Sequence, residues 1–391
     1  TVIGIDANEA NIKNRVGSNT YAFQILKYLY QLQPYRFSFR VYLKNNPLPD
    51  MPKETDWWKY KVLKPKFLWT QWRLPLELYW EKHKQDVFFT PGHYAPRFCQ
   101  TPLVIAIMDL AFLRYPNQFK KKDLYQLVHW TKYSVKNASR ILTISEFSKK
   151  EIIHFYNYPK EKITVIYPGI NIDIKDKKLK IKNTFQNLKR KYRINKESYL
   201  LYVGTLQPRK NLIRLIQAFK RLINRPLALC GRSNINHLII VGKKGWLYKD
   251  IFQKVQELGL KDRVIFTGFV SEKDKAAFLA NALAFILPSL YEGFGIPVLE
   301  AMEASCPVIV SRNSSLPEAA GDAGMYIDNP YSVDSIYQAM LKMMKLNNKQ
   351  RKLLIEKGFK QVEKFSWKKS AKKTIEKLLL ARNEGQNDYK R

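Results

Sequence analysis

Short runs of consecutive apolar residues recur along the chain from its first positions. Val2–Ile5, Phe37–Leu43, Val87–Thr90, Leu103–Ile107, Ile141–Thr143 and Ile163–Ile166 read as strands in the first half. Tyr199–Val203, His237–Val241, Val264–Phe266, Ala284–Leu287 and Val308–Val310 read as strands in the second. Several of these runs have no polar position at all, which suits parallel strands buried on both faces. Helical patterns lie between them, at Ser18–Leu32, Asp123–Ala138, Asn211–Leu222, Ile251–Leu258 and Lys273–Ala280. Strand and helix thus alternate through two successive halves. That alternation predicts an α/β chain built from two doubly wound parallel-sheet domains.

The break between the halves is expected near Asn171–Arg193, where Asp-Lys-Lys-Leu-Lys-Ile-Lys reads as a charged linker running into a helix. The division read from the sequence is 1–180, 181–370 and 371–391. The last piece is a helix and tail, a candidate to pack back on the N-terminal domain. Ser332–Arg382 reads as helical throughout, and the polar tail Asn383–Arg391 is expected to fray.

Composition narrows the picture. The aromatic content of 13% supplies ample core material and excludes a disordered chain. Cys99, Cys230 and Cys306 are far apart and odd in number, so they form neither a disulfide framework nor a metal-ligand spacing. No apolar run reaches the roughly 18–20 residues of a membrane-spanning helix, and Thr1–Asp6 reads as a strand rather than a leader. A soluble chain in a reducing, cytoplasmic compartment is the expectation.

The net charge of +35 changes the picture less than its size suggests. It points to nucleic acid, an anionic membrane or a phosphorylated substrate, or else to a general bias toward lysine. By hundreds of residues the chain carries +7, +13, +8 and +7, so every quarter is positive. No zinc-finger spacing, RNA-binding aromatic signature or basic-zipper heptad accompanies it. A diffuse solvated surface is the simpler reading, and no nucleic-acid partner is expected.

Three segments carry chemistry. In Leu287–Met302 a buried strand gives way to a loop with Gly293 and Gly295, and a helix begins near Pro297. The glycines let backbone N–H groups approach an anion or a sugar closely. Glu300 is placed in the first helical turn, able to accept from ligand hydroxyls, and Glu292 on the loop side of the same crevice. A plain strand–turn–helix connection with one capping Glu is the alternative. In Leu200–Leu212 a strand runs through Gly204-Thr205 to Arg209-Lys210 at a helix entrance. Two cations at a helix N-terminus suit a diphosphate, although a basic pair in a loop is often merely solvated. In Lys13–Tyr21, Gly17 follows the first strand and could offer its N–H to a phosphate. An ordinary glycine turn with Ser18 as N-cap is the alternative.

Together these segments resemble the retaining GT-B glycosyltransferases of family 4, over nearly the whole chain. The most specific piece is Glu292-Gly-Phe-Gly-Ile-Pro-Val-Leu-Glu300, followed by Val203-Gly-Thr-Leu-Gln-Pro-Arg-Lys-Asn211. Phe266–Val270, Leu316–Asp322, Ile144–Ser148, Tyr167–Gly169 and Phe365–Trp367 support it. The resemblance implies two Rossmann-like domains facing across a cleft. It implies a nucleotide-diphosphate sugar, GDP- or UDP-linked, bound mainly by the C-terminal half. Arg209 and Lys210 would hold the diphosphate, with Gly204 and Thr205 beside them. Glu300 would bind the ribose. Glu292 and the Gly293, Phe294 and Gly295 backbone would face the sugar, and Phe269 and Val270 the base. Gly242 would line the same crevice and Gly17 would complete the phosphate site. It further implies retention by front-side attack, with no cofactor and no metal, the two cations taking the metal's part. One departure stands out. Many relatives carry His-Asp after the strand corresponding to Leu103–Ile107, whereas this chain has Met108-Asp109. Asp109 stays a catalytic candidate beside Glu292, Arg209 and Lys210, and His93 is a candidate substitute for the absent imidazole.

Trp57, Trp58, Trp69, Trp72 and Trp80 fall in one short span with Lys59, Lys61, Lys64, Lys66 and Arg73. Such a mixture suits an anionic membrane interface, stacking on acceptor sugars at Trp69 and Trp72, or an aromatic core under a long loop. The functional expectation is a hexosyltransferase, mannosyl as the first guess, acting on a glycan or lipid-linked acceptor at the inner membrane face. The alternatives are another GT-B activity such as a nucleotide-sugar epimerase or a glycan synthase, a basic nucleic-acid binder, and a non-catalytic relative.

Overall fold

The structure is a computed structural model. It describes residues 1–33, 36–81, 83–170, 178–194, 198–225 and 235–388. Cys230, the first part of the expected linker at 171–177, and the tail end at 389–391 lie outside the described residues. The chain divides into two compact units, Thr1–Gly169 with Phe365–Arg391, and Ile170–Lys364. These divisions fall before the expected boundaries at 180 and 370.

Unit 1 contains β1 (Val2–Asp6), α1 (Ser18–Leu32), β2 (Ser38–Leu43), β3 (Trp58–Val62), α2 (Leu74–Trp80), β4 (Val87–Thr90) and β5 (Leu103–Ile107). It continues with α3 (Ala111–Arg114), α4 (Lys121–Asn137), β6 (Arg140–Thr143), α5 (Glu146–Tyr156) and β7 (Ile163–Val165). The seven strands form one sheet in the order β3-β2-β1-β4-β5-β6-β7, all parallel. Neither β4 nor β5 exposes a residue, which is why their sequences carry no alternation.

Unit 2 opens with α6 (Lys178–Lys191), so most of the expected linker is helix. It continues with β8 (Tyr199–Val203), α7 (Leu212–Ile223), β9 (His237–Val241), α8 (Lys249–Glu257), β10 (Val264–Gly268), α9 (Glu272–Asn281) and β11 (Ala284–Leu287). Then come α10 (Ile296–Glu303), β12 (Val308–Ser311), α11 (Leu316–Ala320), β13 (Gly324–Ile327), α12 (Val333–Met344) and α13 (Asn348–Val362). The sheet order is β10-β9-β8-β11-β12-β13, again parallel. In α7 the buried residues Leu212, Leu215, Ile216, Phe219 and Leu222 recur three and four apart, giving one apolar face to the core.

The chain then returns to unit 1 as α14 (Trp367–Asp388), which packs on α1, β4, β5 and β6. The turn before α14 is tight, because a Cβ on Gly169 would lie 2.1 Å from the Trp367 nitrogen. Helix α14 runs through Asn383 to Asp388 instead of fraying at Asn383. Glu384 explains this, since its carboxylate accepts from Arg140 Nε at 2.9 Å and anchors the last turns.

In each sheet the chain reverses its direction of strand addition at one point, between β1 and β4 in unit 1 and between β8 and β11 in unit 2. Loops leaving neighbouring strands diverge there and open a crevice at the carboxyl ends, where α/β sheets bind ligands.

Candidate functional site

The reversal in unit 2 brings together two of the segments singled out in the sequence. The loop after β8 carries Arg209 and Lys210, and the loop after β11 carries Glu292. Lys210 Nζ lies 2.5 Å and 2.7 Å from the two Glu292 carboxylate oxygens. Arg209 Nη1 lies 3.7 Å from Glu292 Oε2 and donates to the Tyr291 carbonyl at 2.9 Å. Ser289 Oγ donates to Glu292 Oε1 at 2.7 Å. The backbone around Glu292 is held as well. Its N–H donates to Ser314 Oγ at 3.1 Å, and its carbonyl accepts from Ser315 Oγ at 2.8 Å. Glu292 is buried, and burial pushes its carboxyl up. Lys210 and Arg209 outweigh this and hold it below its ordinary value, so Glu292 is an anion at neutral pH. Glu292, expected to face a sugar, is here paired with the cations of the β8 loop. In this structure its carboxylate is the counter-ion of the two cations.

The cations are positioned by their own loop. Pro208–Lys210 make one tight turn, and Asn211 follows with φ 62°, a left-handed conformation that Asn tolerates. The Asn211 amide donates to the carbonyls of Pro288 at 3.0 Å and Pro330 at 2.6 Å, tying the β8 loop to the β11 loop. Leu290 N–H donates to the Arg209 carbonyl at 2.8 Å and closes the same junction. Gly242, after β9, is needed for packing. A Cβ there would fall 1.9 Å from the Gly204 carbonyl oxygen, and its φ is 151°.

Helix α10 starts at Ile296 with Pro297 in its first turn and Gly295 as N-cap at φ 103°. Glu300 lies beyond the first turn, contrary to the sequence reading, and its partner is a side chain. Its Oε1 sits 2.8 Å from Lys275 Nζ of α9, which also meets Glu272 at 2.8 Å. Burial pushes the Lys275 ammonium down, but the two carboxylates outweigh it and hold it above its ordinary value. Phe294 is 2% exposed and lies in the core. Phe269 is exposed just after β10, with Val270 beside it, while Gly204 and Thr205 are half-buried at the end of β8.

In unit 1 the loop after β4 brings His93 to the end of β5. Met108 N–H donates to His93 Nε2 at 3.2 Å. That bond assigns the imidazole proton to Nδ1, which is buried and has no partner. Burial lowers the pKa of His93, partly offset by Asp109 nearby, so the ring is neutral at neutral pH. An imidazole thus stands beside Met108-Asp109, supplied by β4 instead of β5. Asp109 Oδ1 accepts from Ala111 N–H at 3.0 Å and holds the start of α3. Gly17 is the N-cap of α1 at φ 53°, so the cap is not Ser18.

Three side chains of these crevices escaped the sequence reading. Ser289 lies within the Leu287–Met302 segment but takes no role in that reading, and Lys275 carries no motif that marks it. Glu9, after β1, accepts from Asn19 Nδ2 at 2.5 Å, and its stem lies close to Gly92. Burial raises its carboxyl pKa against the opposing pull of Asn19 and Lys44. The signal for Glu9 is the polar run Asp6-Ala-Asn-Glu after a strand, which gains meaning only once β4 is known to neighbour β1. Trp69 moves the other way. At 2% exposure it belongs to the unit 1 core and cannot stack on an acceptor, whereas Trp72 is 52% exposed.

Comparison with known proteins agrees with this arrangement. Residues 184–361 match the model described as glycosyl transferases group 1, and residues 17–174 match glycosyltransferase family 4. O-antigen chain mannosyltransferase B of Escherichia coli is 32% identical over 295 residues, 75% of this chain and 74% of that one. Among solved structures, sucrose-phosphate synthase of Thermosynechococcus elongatus superposes with a TM-score of 0.73 at 18% identity, covering 96% of this chain and 97% of that one. Anabaena Alr3699/HepE, in complex with UDP and glucose, gives 0.70 at 18% identity, covering 96% and 98%. Two parallel Rossmann-like sheets, the paired Arg209-Lys210 and Glu292 at a strand-order reversal, and these matches together show that the chain belongs to glycosyltransferase family 4, with the GT-B fold.

Proposed function

We propose that the protein transfers a hexosyl unit, mannosyl first among the candidates, from a nucleoside-diphosphate sugar to a hydroxyl of a glycan or lipid-linked acceptor. The observation that carries this reading is the Lys210–Glu292–Arg209 cluster, a buried carboxylate between two half-buried cations, at the strand-order reversal of unit 2. Leaving-group departure puts negative charge on the diphosphate. Fixed cations at the carboxyl ends of β8 and β11 suit that charge, since they need no reorganisation when it develops. Glu300, one turn into α10, is the proposed ribose acceptor, exchanging part of its Lys275 contact for sugar hydroxyls. Phe269 is the proposed face for the base. His93, Asp109 and Glu9 are proposed on the acceptor side. The mannosyl preference is supported by the E. coli O-antigen enzyme, and a nucleoside-diphosphate donor by the UDP held in the Anabaena protein.

The proposed chemistry retains configuration. The bond from the anomeric carbon to the β-phosphate oxygen breaks, and its electron pair goes to that oxygen. The acceptor oxygen bonds to the same face of the carbon, and its proton passes to the leaving phosphate. Arg209 and Lys210 supply the countercharge that a metal supplies elsewhere.

The test is a thermal-shift screen of GDP- and UDP-linked hexoses, followed by transfer with the tightest binder and determination of the anomeric configuration of the product. A true donor raises the melting temperature by binding the folded state, and Lys210→Ala and Glu300→Ala remove that rise. If no nucleotide-sugar stabilises the protein, the reading fails.

A further inference from the structure

Among the described residues, thirteen large hydrophobic side chains are exposed, and six of them fall within residues 67–98 of unit 1. They are Phe67, Leu68, Trp72, Tyr79, Trp80 and Phe98, with Trp80 at 75% and Phe98 at 84% exposure. Single exposed apolar residues are normal, but a concentration of this kind marks an interaction surface.

The local geometry places them together. Trp69–Arg73 form a π-helical turn that continues into α2. The underside of this helical stretch is core, because Trp69, Leu74 and Leu78 are buried. Trp72 and Tyr79, seven positions apart, lie along the opposite side, where a surface helix ordinarily carries polar residues. Arg73 Nε donates to the Lys64 carbonyl at 2.7 Å and fastens the segment bearing Phe67 and Leu68. Arg97 Nε donates to Gln71 Oε1 at 2.5 Å and fastens Phe98 to the same turn.

Backbone conformation adds a second observation. Leu68 and Phe98 have φ of 42° and 52°, in the left-handed region that bulky residues avoid. Both present their side chains to water. Strain that exposes an apolar group gains the isolated fold nothing.

Charge is sorted around these residues. Among the described residues between 57 and 98 the exposed lysines are Lys59, Lys64, Lys66 and Lys84. The acids of the same span are half-buried and engaged. Glu77 pairs with Lys61 and Arg73, Glu81 with Lys61 and Arg40, and Asp86 accepts from Val2 N–H. Within 57–98 the exposed cationic side chains among the described residues are thus lysines and the acids are engaged, while the exposed Glu54 and Asp56 stand just before this span.

We infer that this face docks on an anionic phospholipid bilayer. Trp and Tyr rings with polar tips suit the headgroup layer, and lysines meet its negative surface. A peripheral contact of this kind needs no spanning segment, and among the described residues no helix is long and apolar enough to cross a membrane. The inference stands apart from the sugar-transfer reading, since it uses none of the unit 2 residues.

The experiment is co-sedimentation of the full chain with large vesicles of phosphatidylcholine alone or mixed equally with phosphatidylglycerol, at low and high salt. The expected result is binding to the mixed vesicles only, weakened by salt. Trp72→Ala with Trp80→Ala lowers the partition coefficient about tenfold, and Lys64→Glu with Lys66→Glu lowers it further. Both pairs are exposed, and unchanged circular dichroism and melting temperature verify the fold. Leu247→Ala with Tyr331→Ala, exposed elsewhere, leaves binding unchanged. Three outcomes overturn the inference: no binding to mixed vesicles, equal binding to neutral ones, or binding indifferent to Trp72 and Trp80. A double tryptophan variant that converts a dimer to a monomer without losing lipid binding also overturns it, and assigns the face to a second copy of the chain.

Discussion

Replacing Glu292 by glutamine removes the one carboxylate that lies between Lys210 at 2.5 Å and Arg209 at 3.7 Å. The shape is kept, and the amide oxygen can still accept from Ser289. Two effects follow, with opposite signs. The folded protein loses a buried carboxylate that neutralises two half-buried cations, which costs about 3 kcal/mol by analogy with removing one member of a buried pair. An incoming diphosphate, however, no longer has to displace or face the carboxylate. A phosphate oxygen on the far side of Lys210 Nζ would stand about 5 Å from it, and Coulomb's law at an effective dielectric of about 20 gives roughly 3 kcal/mol of repulsion per unit charge. Screening and relaxation reduce that figure, so about tenfold tighter nucleoside-diphosphate binding is the expected outcome, or about 1.4 kcal/mol. The assay is calorimetric titration of wild type and Glu292→Gln with GDP and UDP, with melting temperatures measured with and without ligand. The variant should melt lower when free and gain more on binding, while transfer from the intact sugar donor falls. Equal or weaker diphosphate binding in the variant would refute the assignment of Glu292 as counter-ion to a phosphate site.

Other expectations follow from single contacts. Burial raises the Asp6 carboxyl from 3.8 to about 6, against its bonds from Asn8, so the folded state holds the proton more tightly than the unfolded state. Ionisation of Asp6 therefore costs stability as pH rises from 4 to about 6, and Asp6→Asn should gain about 3 kcal/mol at pH 8 and little at pH 4, read by denaturant melts. Gly242→Ala forces a Cβ onto the Gly204 carbonyl and should lose about 3 kcal/mol or more, with donor binding lost alongside stability. A midpoint unchanged by that substitution would show that the two loops part easily. Glu384→Ala leaves Arg140 without its carboxylate and should raise amide exchange in the last turns of α14 before the rest of unit 1. Transfer activity should persist in excess EDTA and fall at least a hundredfold in Lys210→Ala, measured as product formed per minute.

The sequence by itself determined the two parallel sheets. Val87–Thr90, Leu103–Ile107, Tyr199–Val203, His237–Val241 and Ala284–Leu287 emerge with the bounds read from the chain, because interior parallel strands must be apolar on both faces. The strands it did not reveal, Trp58–Val62 and Gly324–Ile327, both lie at sheet edges. An edge strand is less enclosed, so Lys59 and Lys61 or Gly324 break the apolar run. The helix expected at the end of the linker starts earlier than read, at Lys178, because its lysines masked the periodicity.

The motif segments of the site were legible, since Glu292, Glu300, Arg209 and Lys210 stand in recognisable wording. Their partners were not. Lys210 meets Glu292 across 82 positions, and Lys275 meets Glu300 across 25. Met108 meets His93 from a neighbouring strand. The five clustered tryptophans looked alike in sequence, yet Trp58 and Trp69 are core while Trp72 and Trp80 face water. Local pattern reflects which faces a segment must bury, so it determines elements. Which loops converge at a strand-order reversal, and which charge neutralises which, depend on distances between segments remote in the chain, and only the tertiary structure decides them.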